Sequence, residues 1–433
     1  MKRLLLFVML LALCLGLSGC FMEPAEGLYA VPRQPQDFYH LQSAIENAMP
    51  AGGSYSPPTN GENQQSVQLS DLDGDGTDEA VVYLRFQGES PLTVCVFARR
   101  GDGYELISTV DGAGSAFDRV QYAEINGVPG SEIMVGRKVS DQVPQLLTVY
   151  TLKDGSLTEL MSANYTEFMC CDLDANSLTD LVLLRADGDD QKGIAEFYHW
   201  SEGQLFRERE ARLSASASAI KRMITGKMCK NVPAVFVASE YEEGAIVTDV
   251  FGFIDGAFTN LALPRDTENA VQTVREYYVY SSDIDGDGLI ELPTLHPLPS
   301  LPTDSSSENH ALICWYNLLL SGKTEEKLLT YHNYSGGWYL TVPKEWATKL
   351  SVSRAGGEYS FYRTEGFNPV LLFRITAFTG ENRERTAHEK GWEKLTEKGE
   401  MLYVCAMGEG GLSIEDVRDM FHLIRVDWNT GET

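Results

Sequence analysis

Catalytic signatures are scarce in this chain of 433 residues. Its histidines (His40, His199, His296, His310, His332, His388 and His422) are scattered without motif spacing. His388-Glu389 runs into Lys-Gly-Trp, so the second histidine of a zinc-protease helix is missing. No GxSxG elbow, phosphate-binding loop or GxGxxG turn occurs. An active site assembled from several segments needs no such motif, so catalysis is disfavoured rather than excluded. Cysteine is equally spare, and without a CxxC pair a zinc site has no basis. Cys95, Cys314 and Cys405 sit in apolar strand-like runs and read as small buried hydrophobes. Adjacent Cys170 and Cys171 would face opposite ways on a strand, as two inert thiols. Positive charge is short as well: 35 Lys and Arg against 62 Asp and Glu leave a net charge of −27. That balance argues against nucleic acid as a partner and against direct docking on anionic lipid.

What is present begins at the N-terminus. Met1-Lys-Arg supplies a positive segment, and Leu4 to Gly16 is uninterruptedly apolar. A bilayer span needs about 20 apolar residues, so this run reads as a signal peptide over residues 1–20. It closes on Leu17-Ser18-Gly19-Cys20, which matches a bacterial lipobox and predicts lipid attachment at Cys20. The expected product is extracytoplasmic and anchored to the cell membrane by that lipid. Residues 21–65 are expected to form a tether, a short helix at Asp37–Met49 and a Gly/Pro/Asn-rich loop.

The chain's most distinctive motif is an acidic nonapeptide that recurs. Asp71-Leu-Asp-Gly-Asp-Gly-Thr-Asp-Glu79 returns as Asp283-Ile-Asp-Gly-Asp-Gly-Leu-Ile-Glu291. A worn copy lies at Asp172-Leu-Asp-Ala-Asn-Ser-Leu-Thr-Asp180. Carboxylates at positions 1, 3, 5 and 9, with Gly at 6, can wrap one hard cation in oxygen. The candidate metal positions are Asp71, Asp73, Asp75, Thr77 and Glu79; Asp172, Asp174, Asn176, Leu178 and Asp180; and Asp283, Asp285, Asp287, Leu289 and Glu291. An EF-hand would need a Glu at position 12 and flanking helices. Val82 and Thr294 stand there instead, inside strand-like runs. The EF-hand reading fails.

Around these loops the chain divides into units of about fifty residues, a period typical of propeller blades. Unit one reads Val67–Ser70, acidic loop, Ala80–Phe86, Leu92–Arg99, a Gly-Asp-Gly turn and Tyr104–Val110. Comparable units begin near Val120, Phe168, Arg222 and Tyr277, most with Asp-Gly or similar turns before the last strand. Five four-stranded units predict a mainly β chain built as a β-propeller.

This arrangement resembles the FG-GAP/VCBS repeats of integrin-type β-propellers, in which the same loop holds calcium. The resemblance covers residues 66–333 and is specific in units one, three and five. It implies Ca2+ in the first and fifth units. In the third, Asn176 and Ser177 replace Asp and Gly; in the second, Glu124, Asn126 and Glu132 remain but Val128 and Pro129 break the middle. Residues 336–433 are expected to form a small C-terminal α+β domain, with strands from Trp338 and a helix at Ile414–Ile424. The whole layout is similar to lipoproteins of clostridial-type bacteria that pair such a propeller with a small C-terminal domain. The expected role is a binding or adhesion module for an unidentified protein or glycan, or a subunit of an envelope complex. The alternative is a propeller hydrolase or lyase acting on extracellular polysaccharide.

Overall fold

The computed structural model describes residues 36–49, 52–140, 144–188, 192–263, 273–276, 279–301, 309–365 and 368–425. The expected signal peptide, Cys20, the tether up to residue 35, and Tyr277 and Tyr278 lie outside the described residues. No helix among the described residues is long and apolar enough to cross a membrane.

The chain is mainly β, folded into six antiparallel sheets that follow one another in sequence. The first contains Val67–Ser70, Glu79–Arg85, Leu92–Arg100 and Gly103–Gly112, with a short extra strand at Ser54–Tyr55. The second runs through Ala116–Ala123, Glu132–Lys138, Gln145–Lys153 and Ser156–Tyr165. The third has Glu167–Cys171, Asp180–Ala186, Gly193–Ser201 and Gln204–Arg212. The fourth has Ile220–Met228, Val232–Glu240, Ile246–Ile254 and Ala257–Asn260.

Turn chemistry explains why these strands fold back where they do. Asp154-Gly155, Glu202-Gly203 and Asp255-Gly256 each pair a φ near +50° with one of 75°, 81° or 74°. Two successive left-handed residues make the type I′ turn, whose twist matches a two-stranded hairpin.

Alternation along the strands decides how the sheets stack. In the first sheet Val81, Tyr83, Val94 and Val96 pack with Val120, Ile133, Val135 and Tyr150 of the second. Met134 and Leu147 on the second's other face meet Leu181, Leu183 and Tyr198 of the third. Val182 and Phe197 of the third meet Val235, Val237 and Phe251 of the fourth, and Phe236 and Val247 meet Leu292 and Tyr316 of the fifth. Each sheet therefore buries both faces. The two outermost faces are covered by helices. Leu41 and Ile45 of α1 (Gln36–Ala48) lie on Ala80, Val82, Leu84 and Phe97 of the first sheet. Ala387 of α2 (Arg383–Glu389) lies on Leu402 and Val404 of the sixth.

The C-terminal third differs from the sequence expectation. The expected boundary at 333/336 falls inside the fifth sheet, which consists of Leu292–Pro297, Ala311–Leu318, Thr324–Asn333, Trp338–Val342 and Phe421–Leu423. Trp338 and Tyr339 pair with Asn333 and His332 through a tight turn that keeps the two strands in one sheet. The helix expected at Ile414–Ile424 is α3, Ile414–Met420. Its Ser413 and Asp416 form a capping box, as the sequence suggests. It ends at Phe421 because that residue turns extended, pairs with Leu340 and stacks on Trp338 at 5.6 Å. The sixth sheet holds Leu350–Ala355, Glu358–Glu365, Asn368–Phe378, Met401–Met407 and Glu393–Lys398. Its Phe361, Phe373 and Ile375 share one core with Leu329 and Trp338 of the fifth sheet. The last hundred residues are thus continuous with the stack, and Trp338 and Trp346 are buried within it. Of the first strand expected in unit five, the described residues keep a single bridge, Ser282 to Glu291.

Candidate metal centres

The first two acidic loops join the first and second strands of the first and third sheets, and the last is closed by the Ser282–Glu291 bridge and leads into the Leu292–Pro297 strand of the fifth. The carboxylates at positions 1, 3 and 9 converge in all three: Asp71, Asp73 and Glu79; Asp172, Asp174 and Asp180; Asp283, Asp285 and Glu291. Within each set, one oxygen from each residue lies within 4.8 Å of the others.

Backbone N–H groups build this convergence. Asp71 accepts from Gly74 N at 2.8 Å and Gly76 N at 3.0 Å; Asp283 accepts from Gly286 N at 2.7 Å and Gly288 N at 3.0 Å. Asp172 accepts from Asn176 N and Ser177 N, both at 3.0 Å. Position 3 then takes the N–H of position 5, and position 5 that of position 7. Asp75, Asn176 and Asp287 are therefore turn-formers in this geometry. Thr77, Leu178 and Leu289 enter it through their backbone N–H. The worn loop keeps the shape without its glycines: Ala175 and Ser177 sit at φ 61° and 72°, where the intact loops have glycine. Left-handed backbone at such residues costs about 1 kcal/mol each, and the Asp172 bonds hold it there.

Position 9 is the informative one. Its side chain is buried: Glu79 is 3% exposed, and Asp180 and Glu291 are 0% exposed. One oxygen caps the N–H of position 2, at Leu72, Leu173 or Ile284, over 2.9–3.1 Å. The other oxygens, Asp180 Oδ1 and Glu291 Oε1, are buried with no hydrogen-bond partner. Burial, followed by the neighbouring carboxylates, pushes Asp180 and Glu291 up to about 7 and raises Glu79. A buried anionic oxygen without a donor is costly unless a cation meets it.

The second sheet supplies an internal control. Glu132 occupies the same position and caps Ile125 N at 2.8 Å. There Asn126 and Val128 replace the acids at positions 3 and 5, and its second oxygen accepts from Asn126 Nδ2 at 2.5 Å and Thr151 Oγ1 at 3.0 Å. Where protein donors fill the place, the carboxylate partners are missing; where the carboxylates remain, the donors are missing. The donor set of the three loops fits a hard divalent cation such as calcium. Asp71, Asp73 and Glu79, with their counterparts in the other two loops, would hold it. When bound, the ion would neutralise the cluster and tie the loop to the buried second strand.

Sequence reading missed Lys327. Its ammonium, from the Thr324–Asn333 strand, lies 2.6 Å from Asp287 and 3.4 Å from Asp285. That contact lowers Asp287, and hydrogen bonding to Asp287 raises Lys327. Forty residues separate the partners, so only strand pairing brings them together.

No protein-family model matches the chain. No curated protein matches it either. Solved structures give distant likenesses. A Lactobacillus plantarum protein is 12% identical with a TM-score of 0.29, covering 73% of this chain and 85% of that one. A Bacillus licheniformis rhamnogalacturonan lyase is 11% identical with a TM-score of 0.28, over 82% of this chain and 74% of that one. TolB from Acinetobacter baumannii is 11% identical with a TM-score of 0.23, over 79% and 64%. At such scores these likenesses bear on neither ligand nor activity.

Proposed function

We propose that this chain is a calcium-stabilised binding module, built from FG-GAP/VCBS-like propeller blades and held outside the cytoplasm by lipid on Cys20. The observation that carries the calcium reading is the pair of buried, unpartnered oxygens of Asp180 and Glu291, set against the protein-satisfied oxygen of Glu132. Carboxylates occupied in this way are poor proton shuttles, so the loops fasten the scaffold rather than perform chemistry. Extracytoplasmic calcium is plentiful enough for weak sites, of roughly 10⁻⁴–10⁻³ M, to fill. The lipobox Leu17-Ser18-Gly19-Cys20 supports the anchor. The net charge of −27 supports a partner other than nucleic acid.

The test has two arms. Calcium titration of the chelated full chain, followed by elemental analysis, should show saturable binding lost in Asp73→Ala and Asp285→Ala. Incubation with neutral and acidic polysaccharides should release no new reducing ends or unsaturated products. Absence of bound calcium overturns the metal reading; released products overturn the binding-module reading in favour of an enzyme.

A further inference from the structure

A cleft of about 870 Å³ opens between the fifth and sixth sheets, far in sequence from the first two acidic loops. Its volume is within the range of about 300–1,000 Å³ usual for small-molecule sites. Aromatic and planar polar groups line it together. Tyr331, Asn333 and Tyr334 come from the end of one fifth-sheet strand and the turn after it, and Arg354 and Tyr359 from the first hairpin of the sixth.

Asn333 is the polar centre of the cleft. It is 7% exposed. Its Oδ1 accepts from Ser335 Oγ at 2.9 Å, Gly336 N at 3.0 Å and Tyr359 OH at 3.4 Å. The backbone N–H of Gly336 settles which end of the amide is oxygen. The Nδ2 end donates to no protein group among the described residues, although the side chain is nearly buried. A polar group kept there with donors to spare is costly unless a ligand or water accepts from it.

The surroundings indicate which ligand. Tyr331 and Tyr359 are buried walls, whereas Tyr334 is only half-buried and its ring stands 5.3 Å from that of His332. Arg354 lies 5.5 Å over the Tyr359 ring, which fixes the guanidinium at the rim. An aromatic face beside planar hydrogen-bonding groups suits a pyranose, whose C–H face stacks while its hydroxyls both donate and accept. Charge narrows the class. Among the described lining residues Glu276 is the one carboxylate and Arg354 the one guanidinium, so they balance within a chain of net charge −27. That overall field repels a polyanion.

We propose that this cleft binds a short neutral saccharide, with a sugar ring on Tyr334 and a hydroxyl oxygen accepting from Asn333 Nδ2. The proposal rests on the binding-module reading but is independent of the calcium loops. The experiment is calorimetric titration of the calcium-loaded full chain with neutral hexose and N-acetylhexosamine tetrasaccharides, and with tetragalacturonate as the acidic arm. A neutral saccharide should bind saturably, and Tyr334→Ala should weaken it at least tenfold while the chain still melts cooperatively above the titration temperature. Asn333→Asp, which keeps the acceptor for Gly336 and removes the donor, should do the same. No binding by any neutral saccharide overturns the proposal, as does binding only of tetragalacturonate. Binding that survives both substitutions overturns the cleft while leaving the module reading in place.

Discussion

Lys327 Nζ sits 2.6 Å from Asp287 Oδ2, so the fifth-sheet loop already carries a tethered cation against its acids. The other two acidic loops have no such ammonium among the described residues. A calcium ion held by Asp283, Asp285 and Glu291 would have to compete with it. The pair is about one-third exposed on each side, which limits its worth to about 1 kcal/mol. Lys327→Met should therefore tighten calcium binding at this loop by about fivefold and leave the Asp71–Glu79 loop unchanged. Calorimetry on an Asp73→Ala/Asp174→Ala background isolates the site; an unchanged affinity there would show that Lys327 does not compete.

Chelation should lower the melting temperature, and Asp73→Ala or Asp285→Ala should reproduce much of that loss. Glu132 provides the contrast. Glu132→Ala removes the cap on Ile125 N and strands Asn126 and Thr151, so it should destabilise by about 1–3 kcal/mol with or without calcium. Thermal melts in calcium and in chelator check both. A Glu132 variant whose cost vanished in chelator would contradict the metal-free account of the second sheet.

His332 predicts an acid-side loss of stability. It is largely buried against Tyr339, the rings 4.9 Å apart, and burial lowers its pKa to about 3. An unfolded histidine titrates near 6.5, so the fold favours the neutral ring. Its contribution is complete above about 6.5 and is lost as pH falls from there towards 3. Melting temperatures of the parent and His332→Phe, compared between pH 7.5 and 4.5 in calcium, should show a shallower fall for the variant. Parallel profiles would remove His332 from the acid response.

Ile45, 2% exposed, anchors α1 on the outer face of the first sheet. Ile45→Ala should cost about 2–5 kcal/mol in urea unfolding, as core truncations of this kind do. Partial loss of the helix's cover should also promote self-association through Val82, Leu84 and Phe97, measurable by sedimentation. A change under 1 kcal/mol would mean that the helix is not part of the core.

The loops and the first four sheets were legible in the sequence because their signals are local. Asp154-Gly155 and Asp255-Gly256 mark hairpins, and the unbroken apolar run inside Glu79–Arg85 marks a strand buried on both faces. Four strands of the sixth sheet were legible too, and its fifth was hidden for physical reasons. Glu393–Lys398 is an edge strand, polar at every position but Leu395 and mostly exposed, that pairs with Met401–Met407 rather than with the strand preceding it. Phe421–Leu423 carries a helical pattern up to its own first residue, and only the free edge at Trp338–Leu340 turns it into a strand. The site divided in the same way. Spacing gave Asp71, Asp73 and Glu79, whereas Lys327, Thr151 and the cleft at Asn333 depend on pairing across sheets.

The two-sided bonding of the position-9 carboxylate implies an order in which such repeats can decay. Acids at positions 3 and 5 can be lost singly, since each would serve a bound cation and a turn that asparagine can also make, as Asn126 does by accepting from Val128 N. The ninth residue holds the loop to the second strand through position 2 even when no ion is there. Glu132 and Glu124 are the acids of the second loop, and the second oxygen of Glu132 is bonded by an asparagine and a threonine. A blade can thus outlive its cation, provided that it first acquires hydrogen-bond donors of its own.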